Sequence, residues 1–142
     1  MEQNYKNHVR LVPLFHYFVL PVLAINFVSS VLVAKHAFSA ATVIASLTAL
    51  ALILVAFFGR IFALTVQTRL IRLEMRLRMQ EVLPADLRAR ILEFRPGQLV
   101  ALRFASDTEL PELARKVLDE NLIDQKTIKQ MIRDWQGDFL RA

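Results

Sequence analysis

Two long uncharged runs constrain this chain more than any other feature of its sequence. Residues 11–34 and 37–59 contain no side chain with a fixed charge, which gives runs of 24 and 23 residues. A helix needs about 20 apolar residues to cross the roughly 30 Å hydrocarbon core of a bilayer. Both runs therefore predict transmembrane helices. Because only Lys35 and His36 separate them, we expect an antiparallel hairpin with a very short turn.

The first run has one rival interpretation, a cleaved signal peptide. Lys6 and Arg10 precede it, as a basic n-region would. However, the run is longer than the apolar region of a signal peptide, and no clear cleavage site with small residues follows it. We therefore expect the first helix to remain in the membrane.

The distribution of charge predicts the orientation of the hairpin. The chain carries 18 Lys and Arg against 13 Asp and Glu, and the whole excess of +5 lies in residues 1–83. Such a distribution suits anionic lipid headgroups and argues against a nucleic acid partner. Two basic residues precede the first run, one lies in the turn, and five lie in residues 60–80. By the positive-inside rule, both termini should face the cytoplasm.

Each predicted membrane helix carries a stripe of small or polar residues. Small residues let helices approach closely inside a bilayer, where apolar side chains gain little from leaving the lipid. The stripes contact each other within one hairpin or mediate contact with another protein, and the sequence leaves both arrangements open. The stripes are Asn26, Ser30 and Ala34 on the first helix and Ala41, Ala45 and Ala49 on the second.

The helix expected at residues 60–83 has apolar residues on two opposed sides. An amphipathic helix lying on a membrane needs one apolar face, so two faces favour a stalk packed on both sides. Its first stripe has nearly the spacing of a coiled-coil seam: Phe62, Val66, Leu70, Leu73 and Leu77. The second comprises Leu64, Ile71, Met75 and Val82. Arginines that could contact lipid headgroups or an acidic partner are Arg60, Arg69, Arg72 and Arg76.

Residues 84–142 predict a small bundle of four short helices without a sheet. Pro84 ends the stalk, and Leu87, Ile91 and Phe94 mark the first of these helices. Leu99 and Leu102 mark the second. The third should begin at Ser106 or Asp107, with Glu109 in a capping box, and should end at Asn121. The fourth should begin at Asp124 and end at Gly137, with one buried face formed by Ile128, Met131, Ile132 and Trp135.

The sequence predicts no catalytic, cofactor or metal site. The chain has no cysteine and three glycines, so thiolate chemistry and the glycine-dependent motifs are excluded. Its three histidines, His8, His16 and His36, lie at unrelated membrane depths, which does not suit a metal site. His16 and Asn26 are polar groups in the first membrane run. A hydrogen bond across the hairpin and contact with interfacial water explain them more simply than a transport pathway.

Five segments resemble a family of small uncharacterised bacterial membrane proteins, a domain of unknown function. The resemblance implies a bacterial inner-membrane protein with two spans, and it brings no activity, ligand or catalytic residue. The segments are residues 3–8, 72–78, 83–88, 98–110 and 128–136.

Taken together, these features predict an all-α protein in four parts. They are a cytoplasmic tail (1–10), a transmembrane hairpin (11–59), a basic juxtamembrane stalk (60–83) and a small helical cytoplasmic domain (84–142). The function that fits best is a non-catalytic membrane scaffold or accessory subunit that self-associates or docks on a larger membrane complex. A homo-oligomeric channel or transport component is the first alternative, and a membrane-tethered regulator is the second.

Overall fold

The described part of the chain, Tyr5 and residues 11–138 of the computed structural model, is helical and contains no strand. It divides into two compact units, Arg10–Ala63 and Leu64–Ala142 with Met1–Val9. The all-α prediction is confirmed. The elements are a π-helical segment Leu14–Val19, α1 Leu20–His36, α2 Ala40–Val82, α3 Ala85–Arg88, a 3₁₀ turn Ile91–Glu93, α4 Pro96–Leu102, α5 Leu110–Asp119 and α6 Gln125–Met131.

The π-helical segment and α1 form one continuous helical stretch near the start of the first unit. Pro21 follows the π-helical segment and lacks the N–H that the carbonyl of Tyr17 would accept in a regular helix. The widened turn accompanies this missing hydrogen bond: the N–H of Leu20 donates to Phe15 O, five residues back.

A three-residue connection joins α1 to α2. It is short, as predicted, but it lies at residues 37–39, since Lys35 and His36 are the last two residues of α1. The N–H of Ser39 donates to the hydroxyl of Thr42 (3.0 Å), and the N–H of Thr42 donates to the hydroxyl of Ser39 (3.2 Å). This reciprocal pair satisfies two donors that the first turn of α2 would otherwise leave unpaired. A connection of this length keeps two helices as antiparallel neighbours.

Helix α2 is 43 residues long and continues through Gly59 without interruption. Strong helix formers dominate its second half, and Pro84 follows its end. By length and composition, residues 14–36 and α2 are the two described helices apolar enough to cross a membrane.

The C-terminal unit packs its short helices around one apolar core. Its largest fully buried side chains are Phe104, Met79, Leu83, Leu87, Leu99, Leu102, Leu110, Ile128 and Val117. Gln98 is the one buried polar residue among those described, and both ends of its amide are paired. Its Oε1 accepts from the N–H of Arg95 (2.7 Å), and its Nε2 donates to Leu122 O (2.9 Å).

Two helix ends in this unit, the start of α6 and the end of α5, are predicted correctly. The Asp124 carboxylate accepts from the N–H of Thr127 (2.8 Å) and caps α6, and its pKa is lowered by hydrogen bonds from the Thr127 side chain and backbone. Asn121 ends α5 with a positive φ of 48°. The N–H of Leu122 then donates to Val117 O (3.0 Å) and that of Asn121 to Leu118 O (3.1 Å), the hydrogen bonds of a Schellman motif.

Other local predictions are wrong. The first short helix is broken, because α3 ends at Arg88 and a separate 3₁₀ turn follows at Ile91–Glu93. Glu109 forms no capping box; its carboxylate instead accepts from the N–H groups of Arg133 (2.9 Å) and Asp134 (3.0 Å).

The fourth short helix also differs from its prediction, since α6 ends at Met131 instead of Gly137. Trp135 forms an isolated antiparallel bridge with Ala105, and its ring stacks on Phe104 with centroids 4.5 Å apart. The N–H of Gln136 donates to Phe104 O (2.7 Å). These tertiary contacts accompany a non-helical conformation of residues 132–136, so they outweigh the apolar spacing that suggested a longer helix.

Candidate interaction surfaces on the long helix

One side of the second half of α2 is covered by the C-terminal bundle. Ile71, Met75 and Met79 are buried there, and Leu83 continues the same core beyond the end of the helix. The spacing of four residues places all of them on one face. Ile71 and Met75 belong to the second apolar stripe of the sequence analysis, so these residues of the stripe contact the chain's own C-terminal unit, whereas Leu64 remains exposed.

Arg78 joins this face to the loop after α4 and to the C-terminal segment. Its Nε donates to Asp107 Oδ1 (2.7 Å), and its Nη1 donates to Arg103 O (3.2 Å). Its Nη2 donates to Ala105 O (2.6 Å) and to Gln136 Oε1 (2.9 Å). A planar guanidinium can serve these acceptors at once because its five N–H groups point in fixed directions.

Sequence reasoning missed the role of Arg78 and counted it only among the basic residues of 60–80 that predict the orientation. Its acceptors lie 25 to 58 residues further along the chain. Two of them are backbone carbonyls, which carry no residue-specific signal. The sequence did offer one signal for this role: Arg78 lies three residues after Met75 of the second apolar stripe, on a neighbouring position of the helix surface.

The opposite side of the same helix carries an exposed apolar stripe, which we call the seam. Each of its residues is between 53% and 65% exposed. Isolated exposed apolar residues are common on proteins, but a regular stripe is typical of a contact surface. The seam comprises Phe62, Val66, Leu70, Leu73 and Leu77, all predicted from sequence as one stripe.

Charged residues border the seam on both sides. Arg69, Glu74 and Glu81 are exposed, and Arg76 is half-buried. None of these four forms an ion pair with another residue in the described part of the chain. The Nε atoms of Arg72 and Arg76 and Oε1 of Gln67 are shielded from solvent and have no hydrogen-bond partner among the described residues.

The two stripes of small residues are only partly brought together. Ala49 is 3% exposed, and Ser30 and Ala34 are half-buried, so these three lie on covered faces of the first unit. The hydroxyl of Ser30 donates to Phe27 O of its own helix (2.8 Å). Asn26, Ala41 and Ala45 are exposed.

Burial in the hairpin instead follows a pattern that sequence reasoning did not identify. On α1 the half-buried positions recur at spacings of four, three and four, and on α2 the covered positions recur at spacings of four and three. Such spacing marks the single face that each helix turns towards a neighbour. The positions are Leu23, Phe27, Ser30 and Ala34 on α1 and Thr42, Ser46, Ala49, Ile53, Ala56 and Arg60 on α2.

The C-terminal unit contains a cavity that is open to solvent. It has a volume of about 490 Å³ and is lined by Glu109, Glu112, Lys116, Gln130 and Arg133, among others. Among the described residues, no group of three or more His, Asp or Glu side chains is arranged to hold a metal ion.

Comparison with known proteins gives one match. The whole chain, residues 1–142, matches the sequence model of a family of unknown function, DUF6526. No curated protein and no solved structure matches it.

Proposed function

Because the chain belongs to DUF6526, whose function is unknown, we propose a function from the structure: a non-catalytic integral membrane scaffold or accessory subunit. In this proposal residues 11–59 span a bacterial inner membrane as a hairpin. Both termini and the C-terminal bundle lie in the cytoplasm. The protein assembles with further copies of itself or with a larger membrane complex.

Membrane placement is supported by the exposure of the apolar helices. A core helix of a water-soluble protein is mostly buried, but the apolar window of residues 14–36 is 0% buried and that of α2 is 6% buried. Continuous apolar surface of this extent is unfavourable in water. Hydrocarbon removes that cost, and a helix suits a bilayer because it pairs its backbone polar groups within one segment. The excess of basic residues after the second run favours a cytoplasmic location for the stalk.

The observation that carries the assembly role is that only one of the two apolar faces of the stalk is buried. One face is buried by the chain's own bundle, whereas the seam on the other face remains exposed. A membrane anchor alone would need no apolar stripe beyond the hydrocarbon core. The seam is therefore the surface through which we expect the protein to contact its partner.

The mass of the protein extracted from membranes tests this proposal. We expect the chain to sediment with membranes and to resist extraction by alkaline carbonate. In nanodiscs it should have the mass of an oligomer or carry a co-purifying partner. A chain recovered in the soluble fraction would contradict the membrane placement. A strict monomer without any partner would contradict the assembly role.

Introducing Asp at Leu73 gives a direct variant for the seam. Leu73→Asp places a charge in the centre of the stripe and should convert the assembly to monomer, since burying an unpaired charge is costly. Thr68→Asp is a matched control, because it introduces the same charge at an exposed position of the same helix outside the stripe. If both variants retain the wild-type mass, the assembly forms elsewhere on the protein.

A further inference from the structure

The seam is bordered by charges in the order expected for a parallel coiled coil. Val66, Leu70, Leu73 and Leu77 occupy heptad positions d, a, d and a, because their spacings are four, three and four. In the same register Arg69 and Arg76 fall at position g, and Glu74 and Glu81 fall at position e. We propose that the seam pairs with the seam of a second copy of this chain, in parallel and in register.

The charge pattern selects both the partner and the orientation. In a parallel pair, position g of one helix faces position e of the next heptad on the other helix. Arg69 would then face Glu74 of the second copy, and Arg76 would face Glu81. An antiparallel pair would place arginine opposite arginine and glutamate opposite glutamate, which is unfavourable. The chain is thus complementary to itself in one orientation only.

All four charges are available for such pairs. None of them forms an ion pair within the described residues. Arg78 also lies in this part of the helix, beside the bundle. It instead donates hydrogen bonds to Asp107 and to Ala105 O of its own chain. Among the described residues, these four charges thus have no ion-pair partner, whereas Arg78 on the covered face is already paired.

The heptad register also agrees with the covered face. Ile71 lies at position b, Met75 at f and Met79 at c, all on the side away from the a and d positions. The bundle can therefore stay in place while a second helix occupies the seam.

This inference rests on the proposed function, because two heptads are short for an independent coiled coil. Insertion into one membrane in the same orientation makes the two seams parallel. It also raises the effective concentration of one seam around the other. The pairing is therefore tested in the membrane and with the full chain.

Single cysteines give a direct test, since the chain contains none of its own. Val66→Cys and Leu73→Cys place a thiol at d positions, and each should form a disulfide-linked dimer when isolated membranes are treated with a mild oxidant. Thr68→Cys is the matched control, because Thr68 is exposed on the same helix but lies at position f. We expect at least about fivefold less dimer from Thr68→Cys, because position f faces away from a partner helix.

Two cysteine positions also separate the orientations. An antiparallel pair has one point where a residue meets its own counterpart, so it could link one of Val66→Cys and Leu73→Cys but not both. Efficient linking at both positions supports the parallel register. Equal linking at Thr68→Cys and Leu73→Cys, or linking at none of the positions, would overturn the proposal.

Charge reversal tests the pairing of specific residues. In the Leu73→Cys background, Arg69→Glu with Arg76→Glu makes positions g and e both acidic, and Glu74→Arg with Glu81→Arg makes both basic. Each variant alone should pair about tenfold more weakly, because four interhelical attractions become repulsions. Co-expression of the two should restore linking between the different chains. No restoration would overturn the assigned pairs.

Failure of this inference can be told from failure of the proposed function. A protein that remains in membranes and co-purifies with a different protein, without linking at Leu73→Cys, would retain its accessory role and lose the self-pairing. A protein absent from the membrane fraction would lose the proposed function, whatever its linking pattern.

Discussion

At the scale of single residues, Arg78 is the most consequential polar side chain in the structure. Its guanidinium reaches Asp107, two backbone carbonyls and Gln136, and its side chain is 21% exposed. Hydrogen bonds from a charged donor are stronger than neutral ones, and a carbonyl left unpaired on removal of the donor adds a further cost. Arg78 therefore stabilises the packing of the C-terminal unit on α2.

Replacing Arg78 should destabilise the C-terminal unit while the protein stays in the membrane. We expect Arg78→Lys to lower the free energy of unfolding by about 2 kcal/mol, because an ammonium group retains the charge but cannot reach all of these acceptors. Proteolysis of the C-terminal unit, with the protein in nanodiscs, measures the change. Arg90→Lys is the control, because Arg90 forms more exposed ion pairs with Glu93 and Asp119. Equal protease sensitivity of the two variants would contradict this role.

At the scale of elements, the hairpin separates two alanines that share one sequence stripe. Ala49 is covered and Ala45 is exposed, although both are small residues four positions apart. Four residues correspond to 400° of rotation, so each step moves about 40° around the helix, and a strict four-residue stripe drifts off the contact face. The observed face alternates steps of three and four residues and so remains aligned.

Leucine substitutions should separate the two positions experimentally. Ala49→Leu adds bulk to a packed position and should destabilise the hairpin by about 1 to 3 kcal/mol. Ala45→Leu adds the same side chain at an exposed position and should leave hairpin stability within about 0.5 kcal/mol of the wild type. Thermal unfolding in detergent reports both. If Ala45→Leu preserves hairpin stability but lowers the oligomeric mass, Ala45 lies between subunits; if it destabilises the hairpin as much as Ala49→Leu, the assigned contact face is wrong.

At the scale of the whole molecule, the basic residues of α2 should act at different distances from the bilayer. Arg60 directly follows the second uncharged run, and Arg76 lies 16 residues further along the same helix. Electrostatic attraction to anionic lipids falls off within about 8 Å at physiological salt. Arg60 is therefore the residue of the four arginines best placed to contact headgroups, and Arg76 the one best placed to contact protein.

Retention of phosphatidylglycerol by the purified protein tests this assignment. Arg60→Gln should reduce the retained anionic lipid several-fold, since one basic residue near an anionic surface contributes about 1 kcal/mol. Arg76→Gln should have little effect, and Lys126→Gln is a control of equal charge change in the C-terminal unit. Native mass spectrometry counts the bound lipids. Equal losses for Arg60→Gln and Arg76→Gln would indicate a helix that lies along the membrane instead.

Sequence alone determined the features that depend on local pattern. The two apolar runs, the short turn, the cap at Asp124 and the termination at Asn121 are set by residues within a few positions of each other. The seam was equally readable, because heptad spacing on one helix needs no knowledge of the rest of the chain.

Tertiary structure decided what depends on residues distant in sequence. The C-terminal bundle buries one face of α2, and Arg78 donates to carbonyls 25 or more residues away. The contacts of Trp135 end α6 early. Periodicity cannot identify which surface will cover a given face. Nor can it reveal an acceptor on the backbone, because every residue has the same carbonyl. The seam is an apolar face of α2 that the C-terminal bundle leaves exposed. The charges that border it are complementary to those of a second, parallel copy of the same helix.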